Sequence, residues 1–245
     1  MSNNTAAIFI PARMDSARFP QKIIYEINGK PLIIHVLERA MKLNISECYV
    51  ACCCEEIKEI VEKYGGHAIL TDPDLPSGTD RVVAALDTLR EKPEIVINLQ
   101  GDNPIFEESS IRKLIDVMMS DETIDISTPV VLNATPGDGR NENLVKTVFN
   151  NMEKNAPGRA LYFSRTVIPH EAAFFYGHIG IYAYRYAAIK KFVSLPPSFL
   201  EKTERLEQLR ALQHGMNVWA VPVQGTFISV DVKEDVKKVL EYLAH

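Results

Sequence analysis

The stretch Ile8-Phe9-Ile10-Pro11-Ala12-Arg13-Met14-Asp15-Ser16-Ala17-Arg18-Phe19-Pro20-Gln21-Lys22, followed by Asn28-Gly29-Lys30-Pro31-Leu32, decides the fold class. An apolar run suited to a buried strand empties into a loop bearing Arg13, Arg18 and Lys22, and a Gly-Lys-Pro turn then opens an amphipathic helix near Leu32 to Leu43. Three cations just beyond a strand end suit an anionic ligand: they neutralise phosphate oxygens while loop N–H groups grip them. A solvated loop with scattered basic residues is the competing reading. No G-x-x-x-x-G-K-[ST] occurs, and no G-x-G-x-x-G follows the first strand, which weighs against P-loop NTPases and dinucleotide enzymes.

Working outward, strand-like runs at Ala6 to Ala12, Glu47 to Cys53, His67 to Thr71 and Glu94 to Asp102 alternate with helical patterns near Glu55 to Tyr64 and Thr79 to Glu91. This order predicts a doubly wound, mostly parallel, Rossmann-like α/β sheet whose ligands sit at the carboxyl ends of its strands. A helix is predicted from Ser109 to Ser120, then strands at Ile124 to Leu132, Leu144 to Asn151 and His178 to Tyr184. Loops at Pro136-Gly137-Asp138-Gly139 and Asn155-Ala156-Pro157-Gly158 change the rhythm, so residues 124–190 are expected to form a partly antiparallel lobe within one domain spanning 1–245. The chain closes with a predicted helix from Leu200 to His214, a strand at Asn217 to Val223 and a helix after Asp231.

With 245 residues, 46% of them hydrophobic, the chain can bury a core without disulfides or metals. A formal net charge of -5 weighs against a general nucleic-acid binder. No signal-like start and no apolar run near the ~18 residues that span a bilayer are found, so a cytoplasmic protein is expected. Cys48, Cys52, Cys53 and Cys54 crowd one strand and its end, which fits a reducing compartment and no disulfide framework; zinc-ligand spacing is absent. Cys48 and Cys52 read as inert buried thiols, Cys53 and Cys54 as residues at a site's edge.

Four constellations bear chemistry. In Asn98-Leu99-Gln100-Gly101-Asp102-Asn103-Pro104 the strand delivers Asp102 into a Gly/Pro turn, where one carboxylate plus phosphate oxygens suits magnesium, or Asp102 simply makes the turn. Asp231 precedes the last helix with Glu234 three residues on, so it either caps that helix or joins Asp102 on a shared cation. Pro76-Ser77-Gly78-Thr79-Asp80-Arg81 opens a helix with small residues that can both cap it and admit a nucleobase to the main chain. Tyr162-Phe163-Ser164-Arg165, the run from His178 to Tyr184, and Glu204 to Arg210 offer aromatic, hydrogen-bonding and cationic groups for a polyhydroxylated acid, although Glu204, Glu207 and Arg210 also have the spacing of a solvated helix face.

Taken in order, I-P-A-R-x-x-S-x-R-F-P-x-K, G-K-P, S-G-T-D-R, N-L-Q-G-D-x-P, L-Y-F-S-R, H-I-G-I-Y-A-Y, L-E-Q-L-R and V-D-x-x-E-D make the chain resemble, almost end to end, the bacterial 3-deoxy-manno-octulosonate (Kdo) cytidylyltransferases. The resemblance implies coupling of CTP to an eight-carbon sugar acid with release of pyrophosphate, magnesium dependence, a homodimer and supply of activated Kdo to lipopolysaccharide. It implies that Ala12, Arg13 and Lys22 hold the CTP phosphates and that Ser77, Gly78, Thr79 and Arg81 line the nucleotide side. Asp102 and Asp231 would bind magnesium, with Arg13 and Lys22 completing the catalytic set. Gln100, Arg165, His178, Tyr182, Glu207 and Gln208 would face the sugar acid. The chain departs from the pattern at Gln21, where a glycine is usual, and at Cys53, Cys54 and Asn103, where acids are usual. These departures admit an enzyme for another sugar acid, such as an amino-bearing octulosonate, or a binding protein without catalysis.

Overall fold

The computed structural model describes residues 5–45, 47–133 and 141–244, so the expected loop at Pro136 to Gly139 lies outside the described residues. The chain divides into two compact units: residues 1–108 with 225–245, and residues 109–224. The stretch 124–190 read from the sequence as a lobe falls inside the second unit, which also takes in the helix before it and the elements that follow.

The first unit is built on β1 (Ala6–Ala12), β4 (Glu47–Cys52), β5 (His67–Leu70) and β6 (Ile95–Asn98), all parallel, in the order β6-β1-β4-β5. A two-stranded hairpin, β2 (Glu26–Ile27) and β3 (Lys30–Pro31), follows the basic loop. Every residue of β1 and β6 is buried, as expected of parallel strands covered on both faces. The covering helices are α1 (Leu32–Lys42), α2 (Glu55–Lys63) and α3 (Gly78–Thr88). After β5 the chain returns past β1 to lay down β6 on its other side. Strand order therefore reverses between β1 and β6, where the loops leaving the two strands separate and open a crevice. The unit closes with α8 (Asp235–Leu243), whose Val236 and Val239 pack with Phe19, Ile27, Leu32, Ile105 and Val230. Burying Phe19 contributes roughly 2 kcal/mol and ties the basic loop to the end of the chain.

The second unit begins within α4 (Glu108–Ser120) and holds β7 (Ile126–Asn133), β8 (Lys146–Phe149), β9 (Gly158–Ser164), β10 (Phe175–His178), β11 (Tyr182–Arg185) and β12 (Val218–Val223), with α5 (Tyr186–Ser194), α6 (Phe199–Glu204) and α7 (Gln208–Gln213). Its pairings run β10-β8-β9-β12-β7, and β7 also pairs β10, so the strands close on themselves. Among the described residues of this unit, β12 and β7 are parallel and the other pairs are antiparallel.

Two expectations are corrected here. The single strand from His178 to Tyr184 is two strands, β10 and β11, along one edge of β7: His178 pairs Val130 and Ala183 pairs Ser127, which leaves two extra residues looped out between them. The Ile181 N–H turns back onto the Ile179 carbonyl at 2.7 Å, making the bulge. The single helix from Leu200 to His214 breaks into α6 and α7 because Arg205 takes φ +56. Arg165 donates to the Glu204 and Arg205 carbonyls, filling acceptors that a continuous helix would keep for its own N–H groups.

Candidate active site

At the reversal point of the first unit lies a cleft of about 380 Å³, lined by Pro11 to Arg13, Asp15 to Arg18, Lys22, Ile23, Gly78, Arg81, Gln100 to Asp102 and Asp231. Of the residues expected from sequence to hold phosphate or metal, Ala12, Arg13, Lys22, Asp102 and Asp231 meet there. A Cβ on Gly101 would sit 2.8 Å from the Pro11 carbonyl, so only glycine lets the loops after β1 and β6 pass this closely.

The electrostatics centre on Lys22. Its ammonium donates to Asp102 Oδ2 at 2.6 Å and to the Val230 carbonyl at 3.0 Å, and stands 3.9 Å from Asp231 Oδ1. Arg18 donates to Asp231 Oδ1 at 2.8 Å. The Val230 N–H donates to the Asp102 carbonyl at 2.8 Å, which fastens the two carboxylate-bearing segments together. Asp231 is not the cap of α8. The Asp235 carboxylate accepts the N–H groups of Asp231 and Val232, at 3.0 and 3.1 Å, so the Asp231 side chain is left to face the cations of the cleft. Main-chain acceptance and Lys238 hold the Asp235 carboxyl below its usual range despite its partial burial, whose desolvation alone would raise it.

Gln21 adopts φ +57, at the start of the short 3-10 turn Lys22–Ile24 that aims Lys22. The left-handed conformation that a glycine would supply is thus present with a side chain on it. Arg81 is fully buried and spends its guanidinium on Thr71 Oγ1 at 2.6 Å and on the Asp72 and Pro73 carbonyls, holding the loop ahead of α3. Ser77 caps α3: its hydroxyl accepts from the Asp80 N–H at 3.1 Å and donates to the Asp80 carboxylate at 2.6 Å. Thr79 is buried behind the wall, accepting from Asn98 Nδ2 at 3.3 Å. Of the SGTDR segment, then, Gly78 and Arg81 reach the cleft. Cys52 is buried and Cys48 half-buried, and burial pushes both thiols up to about 12. Cys53 lies beside the basic loop, its thiol raised by burial and partly lowered by the Met14 main chain.

The second unit gathers His178, Tyr182, Glu207 and Gln208. Thr128 donates its one hydroxyl proton to the Ile181 carbonyl at 2.7 Å, so at 2.9 Å it accepts from His178 Nε2, which assigns that proton to Nε2 and leaves Nδ1 a lone pair. Burial drives the imidazole down to about 3. The ring lies 5.0 Å from Phe163 and 5.5 Å from Tyr182, whose hydroxyl donates to Gln208 Oε1 at 3.2 Å. Burial and then the Glu207 charge raise the Tyr182 phenol, which stays protonated. Gln208 Nε2 is buried with no hydrogen-bond partner among the described residues. A buried amide donor without an acceptor is a docking point for a ligand oxygen.

The helix-face reading of Glu204, Glu207 and Arg210 is set aside. Arg210 is buried, gripping Glu201 with two hydrogen bonds of 2.9 and 2.6 Å and stacking 4.8 Å from Phe192, while Glu204 accepts from Ser164 Oγ and the Arg165 N–H. Arg165 stands on its own bracket of carbonyls, those of Glu142, Glu204 and Arg205. Arg18, read from the sequence as one of the loop's three phosphate-directed cations, pairs with Asp231 instead. Two contributors escaped sequence reading: Thr128, which fixes the His178 tautomer, and Lys146, whose only sequence signal is a lysine opening a short strand.

A family model described as Cytidylyltransferase matches residues 7–218. The chain is 43% identical over 244 residues to 3-deoxy-manno-octulosonate cytidylyltransferase of Rickettsia typhi, covering 99% of this chain and 98% of that one. To the enzyme of the same name from Rhodospirillum rubrum it is 41% identical over 233 residues, covering 94% and 92%. Its structure superposes with a TM-score of 0.90, at 36% identity and 98% coverage of both chains, on CMP:2-keto-3-deoxy-manno-octonic acid synthetase solved with CTP. A 4-diphosphocytidyl-2C-methyl-D-erythritol synthase of Anaerococcus prevotii, at 17% identity and a TM-score of 0.64, shares the fold. With near-complete coverage at this identity, the chain belongs to the 3-deoxy-manno-octulosonate cytidylyltransferase family.

Proposed function

We infer that this chain transfers the cytidylyl group of CTP to 3-deoxy-manno-octulosonate, giving CMP-Kdo and pyrophosphate for lipopolysaccharide biosynthesis. The observation that carries the reading is the cleft at the β1–β6 reversal, where Arg13, Arg18 and Lys22 meet Asp102 and Asp231 in a full-length member of that family. The anomeric oxygen of the sugar acid bonds to the α-phosphorus as the α–β bridging bond breaks in line, and pyrophosphate leaves. Arg13 and Lys22 draw the triphosphate in and stabilise charge on the departing phosphates. No side chain is assigned as nucleophile.

Asp102 and Asp231 fit a hard divalent cation, because the Lys22 ammonium already sits against both carboxylates and both open onto the phosphate cleft. Magnesium held there supplies charge neutralisation to the triphosphate oxygens. In the second unit Arg165, with His178, Tyr182, Glu207 and Gln208, offers a cation, a neutral imidazole, a phenol, a carboxylate and an unsatisfied amide to the sugar acid; in the first unit Gln100 lines the cleft and is assigned to the same substrate. A homodimer is the assembly the family resemblance suggests, and exposed Leu132, Leu161 and Phe199 of the second unit supply apolar surface for one. Among the described residues no helix is long and apolar enough to cross a membrane; CTP as substrate and free thiols favour the cytoplasm.

Pyrophosphate release from CTP and magnesium, with Kdo, 8-amino-Kdo, N-acetylneuraminate or no acid, tests the reading. Release with Kdo supports it. Release with another acid alone moves the substrate, and no release despite CTP binding overturns the catalytic assignment.

A further inference from the structure

Lys146 is fully buried, yet its ammonium pairs with no carboxylate among the described residues. It donates to the Asn141 carbonyl at 2.8 Å and to the Arg165 carbonyl at 2.6 Å. Arg165 in turn donates Nε–H to the Glu204 carbonyl, one NH1 proton to Glu142 and one NH2 proton to Arg205, at 2.9, 3.0 and 3.3 Å. Two cations thus stand on neutral carbonyls, cross-linking the segments around residues 141–142, 165 and 204–205. The Glu204 carboxylate of this bracket gives its oxygens to Ser164 Oγ and the Arg165 N–H rather than to either cation, while the Glu142 charge acts on Lys146 from outside hydrogen-bond range.

A guanidinium carries five N–H groups, and three of these are spent, which leaves one on each of NH1 and NH2. Those two N–H groups remain to donate to the oxygens of an anion. A buried ammonium is costly, and burial accordingly lowers the Lys146 pKa, with the Glu142 charge offsetting part of the effect. The arrangement stores positive potential that an arriving anion relieves.

We propose that Lys146 is a positioning residue for recognition of the substrate's carboxylate: it fixes the Arg165 main chain and adds positive charge near it, so that an acid is favoured over a neutral sugar. This rests on Arg165 facing the sugar acid. A lysine whose role were only to hold the lobe together would affect stability and both substrates alike.

The test measures KM for Kdo, KM for CTP and kcat in Lys146→Met, Lys146→Gln, Lys146→Arg and Arg165→Ala, with thermal unfolding alongside. Expected for Lys146→Met is a rise in Kdo KM of ~10-fold or more, with CTP KM within about twofold of wild type and Lys146→Arg recovering part of the loss. If Lys146→Met does not fold, Lys146→Gln keeps a donor without the charge and reads the same quantity. An unchanged Kdo KM in a folded neutral variant, or equal rises for both substrates, overturns the proposal. An unchanged Kdo KM in Arg165→Ala instead removes Arg165 from the sugar-acid site, so the two failures are distinguishable.

Discussion

The Lys22 ammonium and the Asp102 carboxylate lie 2.6 Å apart, the tightest ion pair in the cleft, with the Lys22 side chain largely enclosed and Asp102 more open. A lysine held this way is pre-aimed at the place where phosphate and divalent cation would compete for the two partners. Releasing Lys22 to a phosphate would free the Asp102 carboxylate while Arg18 still neutralises Asp231, so a divalent cation bound there would gain most from Asp102. On the proposed function, phosphate and cation capture would be coupled through Lys22.

Asp102→Asn keeps the shape and the hydrogen bond to Lys22 while removing the charge. Turnover should fall by roughly 100-fold or more, with the melting temperature little changed. Steady-state pyrophosphate release beside a thermal melt reads both; wild-type turnover would remove Asp102 from the catalytic set.

Gln21 pays for its left-handed φ of +57 with about 1 kcal/mol, only partly returned by glycine's greater unfolded-state entropy. Gln21→Gly should raise the melting temperature by about 1–3 °C. Gln21→Ile, β-branched at positive φ, should lower it and raise the KM for CTP, since the turn aims Lys22. Calorimetry on the pair gives opposite signs if the backbone, not the side chain, matters at this position.

Gly101→Ala places a Cβ 2.8 Å from the Pro11 carbonyl, a contact backbone must move to relieve. A destabilisation of about 1–3 kcal/mol and weaker CTP binding are expected. Isothermal titration with CTP checks the second part, and unaltered affinity would show that the β1 and β6 loops adjust without cost.

His178 is held neutral by burial down to about 3, whereas the unfolded chain protonates it near 6.5. Between those values the unfolded state binds the extra proton. Stability is therefore fully present above pH 6.5 and falls as the pH drops toward 3, with a limiting slope of about 1.4 kcal/mol per pH unit. Melting temperatures of wild type and His178→Asn from pH 7 to 4 should show a shallower acid decline in the variant; parallel curves would contradict the assignment.

Arg210 and Glu201 form a two-point pair with both side chains mostly enclosed. Arg210→Leu leaves a buried carboxylate without its partner and should cost about 3–5 kcal/mol, more than Arg210→Leu combined with Glu201→Met. Denaturant midpoints of the single and double variants decide this.

The parallel half of the fold was legible in the chain because strands buried on both faces read as short apolar runs, and β1, β4, β5 and β6 fall where Ala6 to Ala12 and its successors predict. Arg13, Lys22 and Asp102 were legible for a related reason: in a doubly wound sheet chemistry collects where strands end, and strand ends can be counted. The second unit resisted sequence reading, since a bulge such as Ile179 to Ile181 preserves apolar alternation on either side of itself. The break at Arg205 depends on a guanidinium from residue 165, forty positions earlier. Whether Asp231 caps a helix or faces a cation was undetermined by its own neighbourhood, because Asp235 offers the same capping chemistry four residues on and only packing selects between them. Sequence by itself determined which groups exist and on which strand ends they ride; the tertiary structure decided which of them meet, because charge pairing, tautomer and burial are properties of neighbours brought together from distant segments.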